Sequence, residues 1–317
     1  MRNLKEEPVK TLFLGSSWES VETLKSLDKD PRFNIVGVIT TVDKPIGRKQ
    51  ILTHSEVKQY ALDNGIKVFH TEKNNERYKE ALKIFNPELV VCKAFGEIIP
   101  EFFLEYPKYK AVNVHFSILP KYRGAVPIQK AILDGEEKTG ITIMLMSKGL
   151  DEGDILKIYE ENILPKDTNL SLRERLVKKS SEILGDTLED WINGNIQPQK
   201  QDSGEATYCW QSDISKENAK IDWKGMDPAY IERMVRALIP WPVAWTLWNG
   251  KRIKLFNVDI IECNSRRESG QLFIDGEHLL FSTKSKDTCL KVNRLQIEGK
   301  QEMSAQEFVH GQKLDLS

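Results

Sequence analysis

Two polar residues in a short apolar segment constrain this chain more than any other feature of its sequence. Ala111–His115 reads Ala-Val-Asn-Val-His, a composition typical of a buried strand. Side chains alternate between the two faces of a strand, so Asn113 and His115 are predicted to lie on the same face. An amide and an imidazole are therefore expected side by side near the end of the strand.

An acidic loop follows a second predicted strand. Turn residues occupy 119–124, a helix is predicted over 126–133 and a strand over 140–146. That strand leads into the loop Gly149–Asp154, which contains Asp151. If the two strands are neighbours in a sheet, the loop can bring Asp151 close to His115. An amide, an imidazole and a carboxylate would then converge.

This trio suits acyl transfer to an amine. Negative charge grows on the carbonyl oxygen during the attack, and N–H groups of Asn113 and His115 could stabilise it. The imidazole could also move a proton from the attacking nitrogen, and a carboxylate at Asp151 would orient the imidazole and raise its pKa. Ser117 is an alternative nucleophile, but it lacks the glycine-flanked nucleophile elbow. A buried structural histidine is the other interpretation of His115.

Strands and helices alternate along the first half of the chain. Strands are predicted at 10–15, 33–40, 66–69 and 89–92, and helices at 55–64 and 75–85. This alternation indicates an α/β fold in which helices cover both faces of a parallel sheet. Ligands bind such sheets beyond the carboxyl ends of the strands. Loops 95–100, 115–124 and 149–154 each follow a predicted strand, so we expect them to gather at one edge.

The pattern of predicted elements changes toward the end of the chain, from a long helix to a linker and then to short strands. A long amphipathic helix is predicted over 170–191, and residues 194–207 lack periodicity and are rich in Gln, Gly and Pro, as in a linker. Short strands are then predicted at 253–258, 270–274, 278–282 and 290–295, which indicates a small antiparallel barrel or sandwich. We therefore predict a first domain at 1–194, a linker at 195–207 and a second domain at 208–317.

Composition excludes several classes of protein. The 317 residues include 46 basic and 47 acidic side chains, so overall charge argues neither for nor against a nucleic-acid partner, and only a local patch could do so. No window approaches the roughly 18 apolar residues of a membrane span, and the N-terminus is too polar for a secretory signal. The four cysteines are far apart and form no CxxC pair, so neither a zinc site nor a disulfide framework is predicted. A reducing cytosol is the expected environment.

A basic loop follows the second predicted strand. Val42–Leu52 contains Pro45, Gly47 and three cations, Lys44, Arg48 and Lys49. Such a loop could contact phosphates, whereas most charged stretches of this kind are solvated surface. Both interpretations stay open on the residues alone.

Taken together, these segments resemble the formyltransferases that use 10-formyltetrahydrofolate. Asn113–Gly124 is similar to the signature of that family, and Gly149–Asp154 is similar to its acidic partner loop. Further similarities lie at 43–48, 125–129, 221–223, 236–242, 298–300 and 303–308. The resemblance covers nearly the whole chain, and the central motif is highly specific.

The resemblance implies a reaction and a set of residues. It implies transfer of a formyl group from 10-formyltetrahydrofolate to the α-amine of methionyl initiator tRNA, with Asn113, His115 and Asp151 as catalytic residues and no metal. It further implies a Rossmann-like catalytic domain followed by an OB-like β-barrel that helps to bind the tRNA. Folate contacts are implied at Glu97, Ile98, Ile99, Ser117, Ile118, Leu119 and Pro120, and tRNA contacts at Lys44, Arg48 and Lys49.

One turn departs from the pattern of the family. The family usually has a Gly-Thr-Pro-containing turn after the first strand, near the amine-bearing end of its substrate, whereas this chain has Gly15-Ser16-Ser17-Trp18. A nucleotide-sugar N-formyltransferase with the same folate donor is therefore the alternative function. A folate hydrolase and an inactive tRNA-binding module are two further hypotheses. We expect a monomeric, cytoplasmic protein with no membrane partner.

Overall fold

The structure is a computed structural model that describes residues 7–46 and 50–311. Contacts divide the chain into two compact units. The first unit contains the chain as far as Arg123, together with Gly140–Glu161 and Glu174–Thr207. The second unit contains Gly124–Thr139, Asn162–Arg173 and the chain from Tyr208 onward.

Strands and helices alternate from Val9 to Ile192. The strands in this part are β1 Val9–Gly15, β2 Phe33–Ile39, β3 Lys44–Ile46, β4 Ile51–Thr53, β5 Val68–Phe69, β6 Leu89–Lys93, β7 Ala111–His115, β8 Arg123–Gly124, β9 Lys138–Leu145 and β10 Ile155–Asn162. The helices are α1 Trp18–Asp28, α2 Glu56–Asp63, α3 Asn75–Phe85, α4 Glu101–Glu105, α5 Pro127–Asp134 and α6 Asn169–Ile192.

The described chain after Ile192 consists mostly of strands. The strands are β11 Tyr208–Cys209, β12 Trp245–Trp248, β13 Lys251–Glu262, β14 Leu272–Asp275, β15 His278–Ser282, β16 Thr288–Ile297 and β17 Glu302–Ser304. The helices are α7 Pro228–Ala237 and α8 Ala305–Gly311, with short 3-10 turns at Ser203–Glu205 and Gln211–Ile214.

A seven-stranded sheet forms the centre of the first unit. Its order is β10-β9-β7-β6-β1-β2-β5, and the pairs β1–β2, β1–β6, β2–β5 and β6–β7 are parallel. Strand β6 is buried along its whole length, as a parallel strand covered on both faces must be. The prediction of a mostly parallel, Rossmann-like sheet flanked by helices is therefore confirmed.

Helix α3 shows how the sequence places helices against this sheet. Its buried residues Tyr78, Ala81, Leu82 and Phe85 recur every three or four positions, which puts them on one apolar face. The helix begins where the side chain of Asn74 accepts a hydrogen bond from the backbone N–H of Glu76. It ends at Asn86, whose left-handed backbone suits a C-terminal cap.

One pairing in the sheet runs against the expected direction. Strand β9 is antiparallel to β7, with Val112 opposite Leu145 and His115 opposite Thr142. The loop after β9 therefore leaves near the start of β7 rather than near its carboxyl end. Asp151 of this loop nevertheless lies beside His115, the last residue of β7, so the loop folds back toward the turn after that strand. The antiparallel direction itself was not predicted, because sequence periodicity does not give the direction of a strand.

The second unit contains an antiparallel sheet. Its order is β12-β13-β16-β15-β14, with β17 paired to β16. Residues of β16 alternate between buried and less buried positions along much of the strand, as expected for a sheet with one face on a core. The predicted small barrel is present as a curled antiparallel half-barrel.

A disulfide bond joins Cys263 to Cys289 in this sheet. The two residues are 26 positions apart, but the β13–β16 pairing brings their Cα atoms to 5.8 Å, within the range that a disulfide requires. The prediction that no disulfide forms was wrong at this pair. Cysteine spacing could not show it, because the proximity arises from strand pairing.

No helix among residues 7–46 and 50–311 is long and apolar enough to span a membrane.

Gly37 offers a test of packing between the sheet and its helices. A Cβ at this position in β2 would lie 2.7 and 2.8 Å from ring atoms of Phe85, which itself packs edge-on against Phe69. Overpacking of a buried core generally costs about 1–3 kcal/mol. We expect Gly37→Ala to lower the free energy of unfolding by that amount, measured by urea denaturation. Gly311→Ala is the control, since a Cβ there meets nothing within 4 Å. Equal stability of the two variants would contradict this packing.

Candidate active site

Asn113 and His115 lie on β7, between β6 and β9. Asn113 is paired with Cys92 of β6 and with Met144 of β9. His115 is only 6% exposed, and Asn113 is partly exposed. Because the strand is regular and the residues are two positions apart, both side chains emerge on the same face. The predicted strand is confirmed.

The two ring nitrogens of His115 have different partners. Nε2 lies 2.9 Å from the backbone carbonyl oxygen of Tyr122, and Nδ1 lies 3.5 Å from Oδ2 of Asp151. Both partners only accept hydrogen bonds, and the Tyr122 oxygen is the closer one at hydrogen-bond distance, so we assign the proton of the neutral ring to Nε2. In the neutral ring, Nδ1 is then the unprotonated nitrogen, and it faces the carboxylate.

Asp151 lies between the amide and the imidazole. Its Oδ1 is 3.5 Å from Nδ2 of Asn113, and its Oδ2 is 3.5 Å from Nδ1 of His115. Both distances are at the outer limit of hydrogen bonding, and the carboxylate is close enough to stabilise a positive charge on the imidazole ring. The structure thus brings Asn113, His115 and Asp151 together, although the loop reaches them from the opposite end of β7 to the one expected.

The backbone of the acidic loop is tightly constrained. Asp151 has a left-handed φ of 50°, which is uncommon for a residue with a side chain. The N–H of Leu145 donates to the carbonyl oxygen of Asp154 at 2.8 Å, which closes the loop at the end of β9. A Cβ at Gly153 would collide with the carbonyl oxygen of Leu145, so only glycine fits there. The carboxylate of Asp151 is therefore held by a specific loop geometry.

Burial lowers the pKa of His115 below its ordinary value of 6.5. Loss of solvent around the imidazole is the largest cause, and the nearby Lys93 ammonium acts in the same direction. The Asp151 carboxylate and the hydrogen bond to Tyr122 oppose this effect by favouring the protonated ring. The expected action of Asp151 on His115 is present, but burial exceeds it, and the resting imidazole is neutral at pH 7.

The turn after β7 is fixed by hydrogen bonds within the turn and to Thr142 of β9. The Thr142 hydroxyl donates to the carbonyl oxygen of Ser117 at 2.7 Å and accepts from the N–H of Leu119 at 3.2 Å. The Ser117 hydroxyl donates to the carbonyl oxygen of Lys121 at 2.6 Å. Ser117 is fully buried and its hydroxyl is engaged, which makes it a structural group rather than a nucleophile. The Leu119–Pro120 peptide bond is cis.

The loop after β6 turns its acidic side chain away from solvent. The Glu97 carboxylate accepts hydrogen bonds from the Thr71 hydroxyl at 2.8 Å, the Lys73 N–H at 3.0 Å and the Tyr78 hydroxyl at 3.1 Å. Next to it, Ile98 is 91% exposed. The loop is thus anchored by Glu97 and presents its next residue to solvent, so a flat ligand could approach its backbone.

The predicted basic loop contains a small hairpin. Strands β3 and β4 pair antiparallel, with Lys44 opposite Thr53, and Lys44 is exposed. Asp43 anchors the hairpin through an ion pair with Lys58 at 2.8 Å and a contact of 2.9 Å with Nδ1 of His54, and these two groups hold the pKa of its carboxyl below the usual value. The other predicted contacts, Arg48 and Lys49, lie outside the described residues.

Two residues near the trio were missed by sequence reasoning. The backbone carbonyl oxygen of Tyr122 is the partner of His115 Nε2. Lys93 donates a hydrogen bond from Nζ to the carbonyl oxygen of Val114 at 2.9 Å. The same Nζ lies 3.0 Å from the centre of the Phe116 ring. Lys93 is almost fully buried. A lysine directly after the apolar residues 89–92 was the available signal, since a lysine is almost never fully buried unless its charge is paired.

Among the described residues, no group of three or more His, Cys, Asp or Glu side chains could hold a metal ion.

Family models and related proteins match almost the whole chain. The model described as formyl transferase matches residues 9–188, and the model described as formyl transferase, C-terminal domain, matches residues 213–313. A methionyl-tRNA formyltransferase from Caldicellulosiruptor saccharolyticus is 39% identical over 307 residues, covering 96% of this chain and 97% of the relative. One from Halalkalibacterium halodurans is 39% identical over 310 residues, covering 98% and 96%.

Solved structures share the fold at lower identity. An N-formyltransferase from Helicobacter canadensis, in complex with folinic acid and dTDP-3-aminofucose, has a TM-score of 0.67 at 22% identity, covering 90% of this chain and 99% of that one. HypX from Aquifex aeolicus has a TM-score of 0.64 at 19% identity, covering 96% of this chain and 47% of that one. The matched models and full-length relatives show that this chain is a formyl-transfer enzyme and belongs to the methionyl-tRNA formyltransferase family.

Proposed function

We propose that the protein transfers a formyl group from 10-formyltetrahydrofolate to the α-amine of methionyl initiator tRNA. The product would be formylmethionyl-tRNA for translation initiation. The observation that carries the proposal is the carboxylate of Asp151 between the Asn113 amide and the His115 imidazole. Similarity over nearly the full length to methionyl-tRNA formyltransferases favours a tRNA acceptor over a nucleotide sugar.

The donor supplies an activated formyl carbon. The protein must stabilise the charge that develops on the formyl oxygen and transfer a proton from the attacking nitrogen to the leaving nitrogen. Negative charge develops on the formyl oxygen as the amine attacks. The Asn113 Nδ2–H group is the neutral donor in the trio, so we assign it to that oxygen. A neutral amide contributes without changing its own protonation state.

His115 moves the proton. Its Nε2–H is engaged by the carbonyl oxygen of Tyr122, so Nδ1 is the atom that exchanges protons with the reacting groups. A neutral Nδ1 accepts a proton from the attacking nitrogen, and the imidazolium can then donate it to the leaving N10 nitrogen. Asp151, 3.5 Å away, stabilises the imidazolium while it exists.

The loops beside the trio are assigned to the donor. Glu97, Ile98 and Ile99 lie in the loop after β6, and Ser117–Pro120 lie in the turn after β7. The carboxylate anchor of Glu97 and the exposure of Ile98 fit a loop that holds a flat ring through its backbone. Ser117 is fully buried, so we assign that turn a shaping role through its backbone.

Substrate RNA is assigned to the hairpin and to the C-terminal part of the chain. Lys44, Arg48 and Lys49 would meet phosphates, which bind lysine and arginine regardless of sequence. We propose a catalytic domain at 1–194, a linker at 195–207 and a tRNA-binding OB-like domain at 208–317. A monomeric, cytoplasmic enzyme completes the proposal.

Formyl transfer should be measured with three parallel reactions. Purified protein and 10-formyltetrahydrofolate are incubated with charged methionyl initiator tRNA, with an amino-sugar nucleotide, or with no acceptor. We expect formylated product with the tRNA alone. Product with the sugar nucleotide and none with tRNA would overturn the proposed acceptor, and equal loss of formyl groups without acceptor would indicate a folate hydrolase.

Asp151→Asn tests the carboxylate. Asparagine tolerates a left-handed backbone, so the loop should keep its conformation while the charge is lost. We expect turnover to fall by a factor of about 10² to 10⁴, the usual contribution of acid–base catalysis. Glu152→Gln, an exposed neighbour in the same loop, is the matched control and should retain activity. Turnover of Asp151→Asn at the level of this control would contradict the assignment.

The protonation of His115 offers an independent test. Its pKa is lower in the folded chain than the ordinary value of 6.5, which we take for the unfolded chain. Between the folded and unfolded pKa values the folded chain therefore binds fewer protons at this site. The free energy of unfolding consequently decreases as the pH falls below about 6.5. In an NMR titration we expect a midpoint below 6.5, assigned with a His115→Gln variant. Asp151→Asn should lower it further, because the carboxylate is what favours protonation. A midpoint above 6.5 would show that burial does not dominate.

A further inference from the structure

Gln201 reaches the acidic loop from the segment predicted to be a linker. Its Nε2 group donates hydrogen bonds to the carbonyl oxygens of Asp151, at 2.9 Å, and of Gly153, at 2.8 Å. Its Oε1 accepts from Nε of Arg123 at 3.0 Å and from Nη2 at 2.8 Å. One side chain therefore connects the catalytic loop to a buried guanidinium.

The orientation of the Gln201 amide is fixed by chemistry. The guanidinium only donates hydrogen bonds and the two carbonyl groups only accept them, so the amide oxygen must face Arg123 and the amide nitrogen must face the loop. Arg123 is 2% exposed and always charged. A buried, charged donor polarises the amide and strengthens the bonds that its nitrogen makes.

These bonds determine where the Asp151 side chain points. Asp151 has a left-handed φ of 50°, a conformation that persists only where surrounding contacts require it. Gln201 holds the peptide groups of residues 151 and 153, which lie on both sides of Glu152. With those two carbonyl groups fixed, the Cα–Cβ direction of Asp151 is fixed toward Asn113 and His115.

The same segment also anchors the other partner of His115. The Tyr122 N–H donates to the Thr207 hydroxyl at 2.9 Å, and the carbonyl oxygen of Tyr122 is the group that His115 Nε2 contacts. Upstream, Gln199 pairs with Ile155 through two backbone hydrogen bonds of 2.7 and 2.9 Å. Residues 199–207 thus hold the groups on both sides of the His115 ring.

We propose that Gln201 is a positioning residue for formyl transfer. It acts through Asp151, whose carboxylate it holds at the imidazole, and the segment 199–207 works as part of the catalytic unit. This inference rests on the catalytic role proposed for Asp151.

Two substitutions separate positioning from simple packing. Gln201→Glu keeps an oxygen against Arg123 but presents a second oxygen to the two carbonyl groups, so only the bonds to the loop are lost. Gln201→Ala loses both sets of bonds. Gln197→Ala is the control, because this glutamine is exposed and lies outside the segment 199–207.

We expect Gln201→Glu to lower kcat by about 10- to 100-fold, as small misplacements of catalytic groups do, with KM values for donor and tRNA changed less than about threefold. Its thermal midpoint should stay near that of the control, because the buried Arg123 keeps a partner. Unchanged kcat in Gln201→Glu with loss only in Gln201→Ala would show that the glutamine merely satisfies Arg123, and would overturn the proposal.

A double substitution tests whether Gln201 acts through Asp151. In an Asp151→Asn background, Gln201→Glu should change kcat less than about twofold, because residues that act as a unit are not additive. Equal losses in both backgrounds would overturn the positioning role.

A readout without turnover distinguishes this inference from the proposed function. In Gln201→Ala, the NMR titration midpoint of His115 should fall below that of the unsubstituted protein, because the Asp151 charge moves away. That result would support positioning even if methionyl-tRNA proved not to be the acceptor. An unchanged midpoint would overturn positioning while leaving the acceptor assignment intact.

Discussion

The site depends on a competition between burial and charge at His115. The ring is almost completely removed from solvent, which favours its neutral form, while a carboxylate 3.5 Å from Nδ1 favours the protonated form. Burial prevails in the resting protein, so the imidazole is poised as a base. When it accepts a proton, the carboxylate is already in place and no solvent has to reorganise. Burial therefore favours the neutral ring before the attack, and the Asp151 carboxylate favours the protonated ring after the proton has been accepted.

This competition requires both nitrogens of the ring to be held. The carbonyl oxygen of Tyr122 keeps the proton on Nε2, which leaves Nδ1 unprotonated and facing Asp151. If Tyr122 moved, the ring could adopt the other tautomer and present an N–H to the carboxylate instead. The turn after β7 is consequently as important to the chemistry as the strand that carries His115, even though Tyr122 contributes only its backbone.

Part of the site follows from the sequence, and part does not. The two-residue period of a strand placed Asn113 and His115 on one face, and the glycine-bounded acidic loop identified Asp151. The direction of β9 could not be predicted, because a buried strand has the same hydrophobic pattern whether it is parallel or antiparallel. The sign of the His115 pKa shift was also inaccessible, since it depends on burial supplied by distant residues. The disulfide between Cys263 and Cys289 likewise needed the pairing of β13 with β16.

Residues 195–207 show most clearly why pattern is an incomplete guide to a catalytic unit. Periodicity reports apolar burial, and this segment buries little apolar surface, so its sequence is typical of a linker. Its contribution is made through polar contacts: Gln201 to two backbone carbonyl groups, and Thr207 to a backbone N–H. Such contacts need one side chain at one position and leave no repeat in the sequence. A segment without periodicity can therefore be firmly tied to a site, and the distinction requires an account of where its hydrogen-bonding groups go.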